Sequence, residues 1–220
     1  MTLNITEKEA ISTHLSQIKE TEHYTIFSGL MAALRDARKV TGRNQDSGEK
    51  IEKDNCGYVG SWLGNIGYLV LLDQIGRCFK PKSVATILDR PLIVALLYFG
   101  GVSLTQAEAI YALRCSLAHD FGTFNTNNKR PSLTHFFTLH IGASPAVVTL
   151  PRKPWDGDIL NLNSDNVTYV SLEALGDLVE RLYHTLLELS TTDDLEIVLN
   201  GGAQELAVRY SFYSPKYPPL

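Results

Sequence analysis

The chain reads as a mainly α-helical bundle with a small β-hairpin inserted before its last long helix. Three observations predict this. Thr6/Glu9 and Thr105/Glu108 each match the capping box, in which a hydroxyl and a carboxylate three residues apart satisfy free N–H groups at a helix start. Leu172, Leu175, Leu178, Val179, Leu182 and Leu186 recur at steps of three and four, the spacing of one helical face. "LTHFFTLHI" and "AVVTLP", joined through "GASP", have strand character and predict a hairpin over about 133–151.

Taken in order, Thr6 opens a helix over about 7–20, and a second runs from about 23 to 40 and stops near Gly42. The polar, nonperiodic "GRNQDSGEKIEKDN" predicts an exposed loop. A long apolar segment follows over about 56–79 and ends at Pro81. A further helix spans roughly 83–99 and is broken by Gly100–Gly101. Thr105 opens the next helix, which runs to about His119, with Gly122 as its stop signal. "FGTFNTNNKRP" is a loop, the hairpin follows with Pro145 at the approach to its second strand, and "RKPWDGD" is a turn-rich connection. The amphipathic helix covers about 171–190. Beyond 191, "LEIVL", "NGG" and "ELAVRYSFY" fit either a hairpin or two short helices. No long linker or repeat interrupts the chain, so residues 1–220 are expected to form one domain.

Composition excludes several classes. The 220 residues are 44% hydrophobic and 20% charged, which suits a packed core and not a disordered chain. Cys56, Cys78 and Cys115 are odd in number and scattered, so neither a disulfide framework nor a zinc signature is expected. The N-terminus lacks a secretory pattern, and "LIVALLYFGGV" is about half the length of a membrane span. A cytoplasmic protein without membrane contact is the expectation. Net charge is −4, so no global basic field points to nucleic acid. The basic groups Arg35/Arg38/Lys39/Arg43, Arg77/Lys80/Lys82 and Lys129/Arg130 read as solvated faces.

Gly57, Gly60, Gly64 and Gly67 lie at steps of 3, 4 and 3 and share one helical face. Each costs about 1 kcal/mol against alanine, which a closely approaching helix would offset. Packing within or between protomers is expected there, since neither GxGxxG nor P-loop spacing exists. HExxH, CxxC and GxSxG are absent, and His135 and His140 differ by an odd number along a strand, so they lie on opposite faces. No metal site and no cofactor are expected.

The segment "YALRCSLAHDFG" carries the functional signal. Arg114 lies at the edge of the apolar stripe Ile110, Leu113, Leu117 and Phe121, where an arginine needs a partner or a ligand. His119 follows five residues on, about 140° round the helix. On a continuous helix the two side chains diverge. They converge only if the helix unwinds near His119 or if two copies meet across a symmetric interface. A histidine can move the proton of an RNA 2′-OH or of the leaving 5′-oxygen, and a guanidinium can hold the phosphate. "RPSLTH", from Arg130 to His135, has the same spacing but is interrupted by Pro131.

This stretch, "RCSLAH" near a helix end in a helical context, resembles the signature of the HEPN superfamily, the higher eukaryotes and prokaryotes nucleotide-binding domain. The resemblance covers about half the chain. It implies an all-helical bundle that dimerises through the motif helices. It also implies a metal-independent endoribonuclease of toxin–antitoxin or defence systems, with RNA as substrate and a protein antitoxin as candidate partner. Carried onto this chain, Arg114 and His119 are the catalytic pair. Ser116, Asp120, Lys129 and Arg130 are the accompanying binding candidates. Cys115 departs from the pattern, which usually has Asn, Asp or His after the arginine. That departure supports the alternative of a non-catalytic, dimeric binding or scaffold protein of the same type.

Overall fold

The computed structural model describes residues 5–16, 18–51, 58–85, 89–142 and 144–216. Thr6 caps α1 (Glu7–Leu15) with the expected box: its hydroxyl accepts from the Glu9 N–H, and the Glu9 carboxylate accepts from the Thr6 N–H. The helix then ends sooner than the sequence suggests. Ile18–Glu20 is strand β1, and it turns through Thr21–Tyr24 into β2 (Tyr24–Ser28). The helix expected over 23–40 therefore starts only at Gly29, as α2 (Gly29–Val40), capped by the Ser28 hydroxyl. "YTIFS" has the β-branched and aromatic content of a strand, and its partners decide the matter. β2 pairs with β1 on one side. On the other it pairs with β9 (Ser211–Pro215) from the far end of the chain, with Phe27 opposite both Ile18 and Phe212.

The remaining elements are α3 (Trp62–Cys78), β3 (Phe79–Pro81), α4 (Pro91–Tyr98), α5 (Leu104–Asp120) and β4 (Phe124–Asn125). After them come β5 (His135–His140), β6 (Val148–Thr149), β7 (Val167–Ser171), α6 (Leu172–Thr191), β8 (Leu195–Ile197) and α7 (Gly202–Arg209). The fold is thus mixed α/β, and the described residues form three sheets, ordered β1-β2-β9, β3-β8 and β4-β5-β7-β6. A mainly α, HEPN-like bundle with one inserted hairpin is not what forms. β5 and β6 do not pair with each other: β7 lies between them, parallel to β5 and antiparallel to β6. The expected hairpin over 133–151 fails because a third strand, about twenty residues on, supplies a better-matched neighbour. The segment after 191 mixes both expectations, giving a strand, a short helix and a strand.

α3 is the central helix and packs on α2, α4, α5 and α6. Tyr68, Leu69 and Leu72 on α3, Leu92, Ile93 and Leu96 on α4, and Leu175, Leu178, Leu182 and Leu186 on α6 are buried in one apolar core. Burying each such side chain stabilises the fold by roughly 1.5–3 kcal/mol relative to leaving it in water. Of the glycine face, Gly57 lies outside the described residues and Gly60 precedes the helix. Gly64 and Gly67 serve close packing on α2. A Cβ on Gly64 would stand 2.5 Å from Thr41 Cγ2, and one on Gly67 3.3 Å from Ala37 Cβ. Gly76, which the spacing did not single out, is pressed against the Pro91 carbonyl at the start of α4.

The expected exposed loop after α2 is a strap, at least through Ile51. Arg38, Arg43 and Lys50 clamp it onto Glu180, Asp177 and Glu173, which line one face of α6. Arg38 and Arg43, expected on a solvated basic face, are 1% and 5% exposed. In the second basic group, Lys80 is buried and bonded to Glu196 across the β3–β8 pair. Among the described residues no helix is long and apolar enough to cross a membrane.

Candidate functional site

The capping box of α5 is made by Ser103 and Gln106, two residues before the expected Thr105/Glu108 pair, because the chain leaves Gly101 at φ 64° and turns into the helix early. The helix then runs without a break to Asp120. Phe121, at φ 49°, is the left-handed residue that ends it, a role expected of Gly122. Phe121 is consequently turned out to solvent and does not complete the apolar stripe. Ala107, Ala109, Ile110, Ala112, Leu113, Ser116 and Leu117 are buried. A narrow strip of Leu104, Tyr111, Cys115 and Ala118 stays at least partly accessible. Arg114 borders that strip on one side and His119 on the other.

Because the helix does not unwind, one protomer does not bring Arg114 and His119 together: they remain about 140° apart. His119 is exposed and makes no hydrogen bond or ion pair among the described residues. Arg114 is 28% exposed, and its Nε donates to Asp73 Oδ2 on α3 at 2.7 Å. The partner that an arginine at the stripe edge requires is therefore a carboxylate of the neighbouring helix. Burial, with the Cys115 thiol beside it, raises the Tyr111 phenol pKa.

The other candidates scatter. Ser116 is buried and donates to the Gly122 carbonyl, closing the helix end, so it is a structural residue. Asp120 is exposed at the helix C-terminus. Lys129 and Arg130 stand in the loop between β4 and β5. Their backbone N–H groups donate to the Asn127 side chain, and their own side chains are in solvent. His135 is buried, hydrogen-bonded to Thr168 and to the Ser132 carbonyl, and desolvation lowers its pKa. Among the described residues no three His, Cys, Asp or Glu side chains are grouped to hold a metal ion.

A cleft of about 410 Å³ opens beside Arg114 between α3, α5, the entry to α4 and Tyr210. Asp73, Arg77, Arg90, Tyr111 and Tyr210 line it with Arg114. The Arg90 guanidinium lies 5.1 Å from the centre of the Tyr111 ring and 3.9 Å from the Glu108 carboxylate. Sequence reasoning missed Asp73. Its signal was present: "YLVLLDQIGRC" sets Asp73 and Arg77 four apart in an otherwise apolar helix, so both share one face and need company there.

No protein-family model, no characterised protein and no solved structure matches the chain.

Proposed function

We propose that the chain is a metal-independent endoribonuclease of the HEPN type, acting on RNA as a homodimer through α5. One observation carries the reading: Arg114 and His119 border opposite edges of the accessible strip of an unbroken helix. When two such strips face each other about a twofold axis parallel to the helices, the Arg114 edge of one copy meets the His119 edge of the other. The rise between the two residues is about 7.5 Å, a span that the long arginine side chain and the bound phosphate fill. Arg114 then holds the phosphate and offsets charge in the transition state, while His119 moves the proton of the 2′-OH or of the leaving oxygen.

A second reading, a non-catalytic binding protein of the same type, is favoured by Cys115 and by the neutralisation of Arg114 by Asp73. Incubating the purified protein with mixed cellular RNA in EDTA separates the two, with His119→Ala and Arg114→Ala variants checked for folding beside it. Cleavage that leaves 2′,3′-cyclic phosphate ends and is lost in both variants is expected. RNA left intact by the wild type would move the assignment to the binding protein.

A further inference from the structure

The pairing of Arg114 with Asp73 uses only part of the guanidinium. Asp73 accepts from Nε, and neither Nη of Arg114 has a hydrogen-bond partner among the described residues. Two amino groups in a planar fork are left open on the side of the cleft. Such a fork matches two oxygens of a phosphate. Held at Nε by a carboxylate, a guanidinium also loses little further freedom on binding, which favours a preorganised site.

The same cleft holds Arg77, four residues from Asp73 on α3. Asp73 is already taken by Arg114, and Arg77 has no ion pair or hydrogen bond among the described residues. Arg90 is differently employed, over the Tyr111 ring and towards Glu108. Tyr210 closes the far wall, with Arg209 lying over its ring at 5.3 Å. Asp89 adds a second carboxylate to the lining, but three guanidinium groups outnumber the two carboxylates. A concave space with two uncommitted guanidinium faces and aromatic walls suits a phosphate attached to a flat ring system.

We propose that this cleft binds a phosphate of a single-stranded nucleic acid, with Arg77 and the open fork of Arg114 as donors and Asp73 as the positioning residue that aims the fork. The assignment rests on the RNA reading above for the identity of the strand. It places the backbone phosphate on one side of the α5 strip and so sets the direction from which the strand reaches His119.

Asp73 offers a test of sign. A carboxylate that merely neutralised Arg114 would repel phosphate, and its removal would tighten binding. A carboxylate that aims Arg114 is needed for binding, and its removal weakens it although a negative charge is lost. The probes are a short single-stranded deoxyoligonucleotide, which lacks the 2′-OH and is not cleaved, and inorganic phosphate, both followed by titration calorimetry. Wild type, Arg77→Gln, Asp73→Ala and the remote charge control Arg152→Gln are compared, with thermal melts to confirm folding.

The expected result is that Arg77→Gln and Asp73→Ala each weaken the oligonucleotide about tenfold, while Arg152→Gln changes it less than about twofold. Equal losses in Arg77→Gln and Arg152→Gln, tighter binding in Asp73→Ala, or no binding by the wild type would each overturn the proposal. So would binding of inorganic phosphate alone through Arg77, with the oligonucleotide rejected. The two readings fail separately. Arg77-dependent oligonucleotide binding without RNA cleavage removes the nuclease and keeps the cleft. Cleavage of RNA with oligonucleotide binding unchanged in Arg77→Gln removes the cleft and keeps the nuclease.

Discussion

Two arginines, each paired with a carboxylate on another helix, are used in opposite ways. Arg38 on α2 is 1% exposed and bonded through all three guanidinium nitrogens. Nε and Nη2 donate to the two Glu180 oxygens at 2.9 and 2.6 Å, and Nη1 donates to the Gln45 and Asp46 carbonyls. The Tyr183 ring lies 5.6 Å from its centre. Arg114 on α5 gives Asp73 a single contact and leaves its fork open to a cleft. A guanidinium bonded through all three of its nitrogens holds a structure together. One with donors to spare is available to a ligand. The difference lies in the count of occupied donors and not in the strength of either ion pair.

Breaking the first pair should give the largest effect. Removing one member of a buried, hydrogen-bonded ion pair strands the other charge and costs about 3–5 kcal/mol. Glu180→Ala leaves Arg38 buried without its carboxylate and also loosens the strap, because Gly48, at φ 76°, sits directly against Glu180. Urea unfolding should show a loss of that size. A loss under about 1 kcal/mol would mean that the clamp is no more committed than the cleft.

A titration sharpens the same contrast, because the wall behind the cleft holds a buried group of its own. His14 is 1% exposed, its Nδ1 has no hydrogen-bond partner among the described residues, and Gln74, which lines the cleft, stands 3.4 Å from its Nε2. Burial pushes its pKa down from 6.5 to about 4. The folded state therefore binds fewer protons than the unfolded one between those values. The stability is fully present above about pH 6.5 and is lost as pH falls towards 4, for a total of about 3 kcal/mol. At pH 5 the loss should be about 2 kcal/mol, and His14→Leu should abolish that share of the pH dependence. Equal pH slopes in wild type and variant, measured by urea unfolding at pH 7 and pH 5, would contradict it.

What the sequence discloses follows the range of the forces involved. The α6 stripe, the Thr6 cap and the placement of Arg114 at a stripe edge are all legible, because each is set by residues within one or two turns. The local pattern of β2 reads as helix because its partner β9 is contributed by residues more than 180 positions later. The hairpin misleads for the same reason, since β7 separates its two strands. The strap resembles a loop because its polar residues mark turns, and nothing local says that Arg38 and Arg43 meet α6. Arg114 is evident from its own helix, whereas its partner Asp73, on a helix 41 residues earlier, is not.

The smallest effect on stability belongs to Arg114, and it is the most discriminating. The pair is partly open to solvent, with side-chain exposures of 28% and 19%, and such pairs contribute about 1 kcal/mol or less. Arg114→Lys keeps the positive charge and discards the planar fork. Thermal stability should stay within about 0.5 kcal/mol of wild type, since the lysine Nζ can still approach Asp73. Affinity for the deoxyoligonucleotide should nevertheless fall, because a point charge on a flexible stem does not present two parallel donors to a phosphate. The same exchange at Arg38 should cost stability, because there the fork itself is spent on Glu180 and two carbonyls. If the Arg114→Lys variant binds the oligonucleotide as well as the wild type does, charge alone suffices in the cleft. The open fork then carries no function, and the contrast between the two arginines reduces to burial.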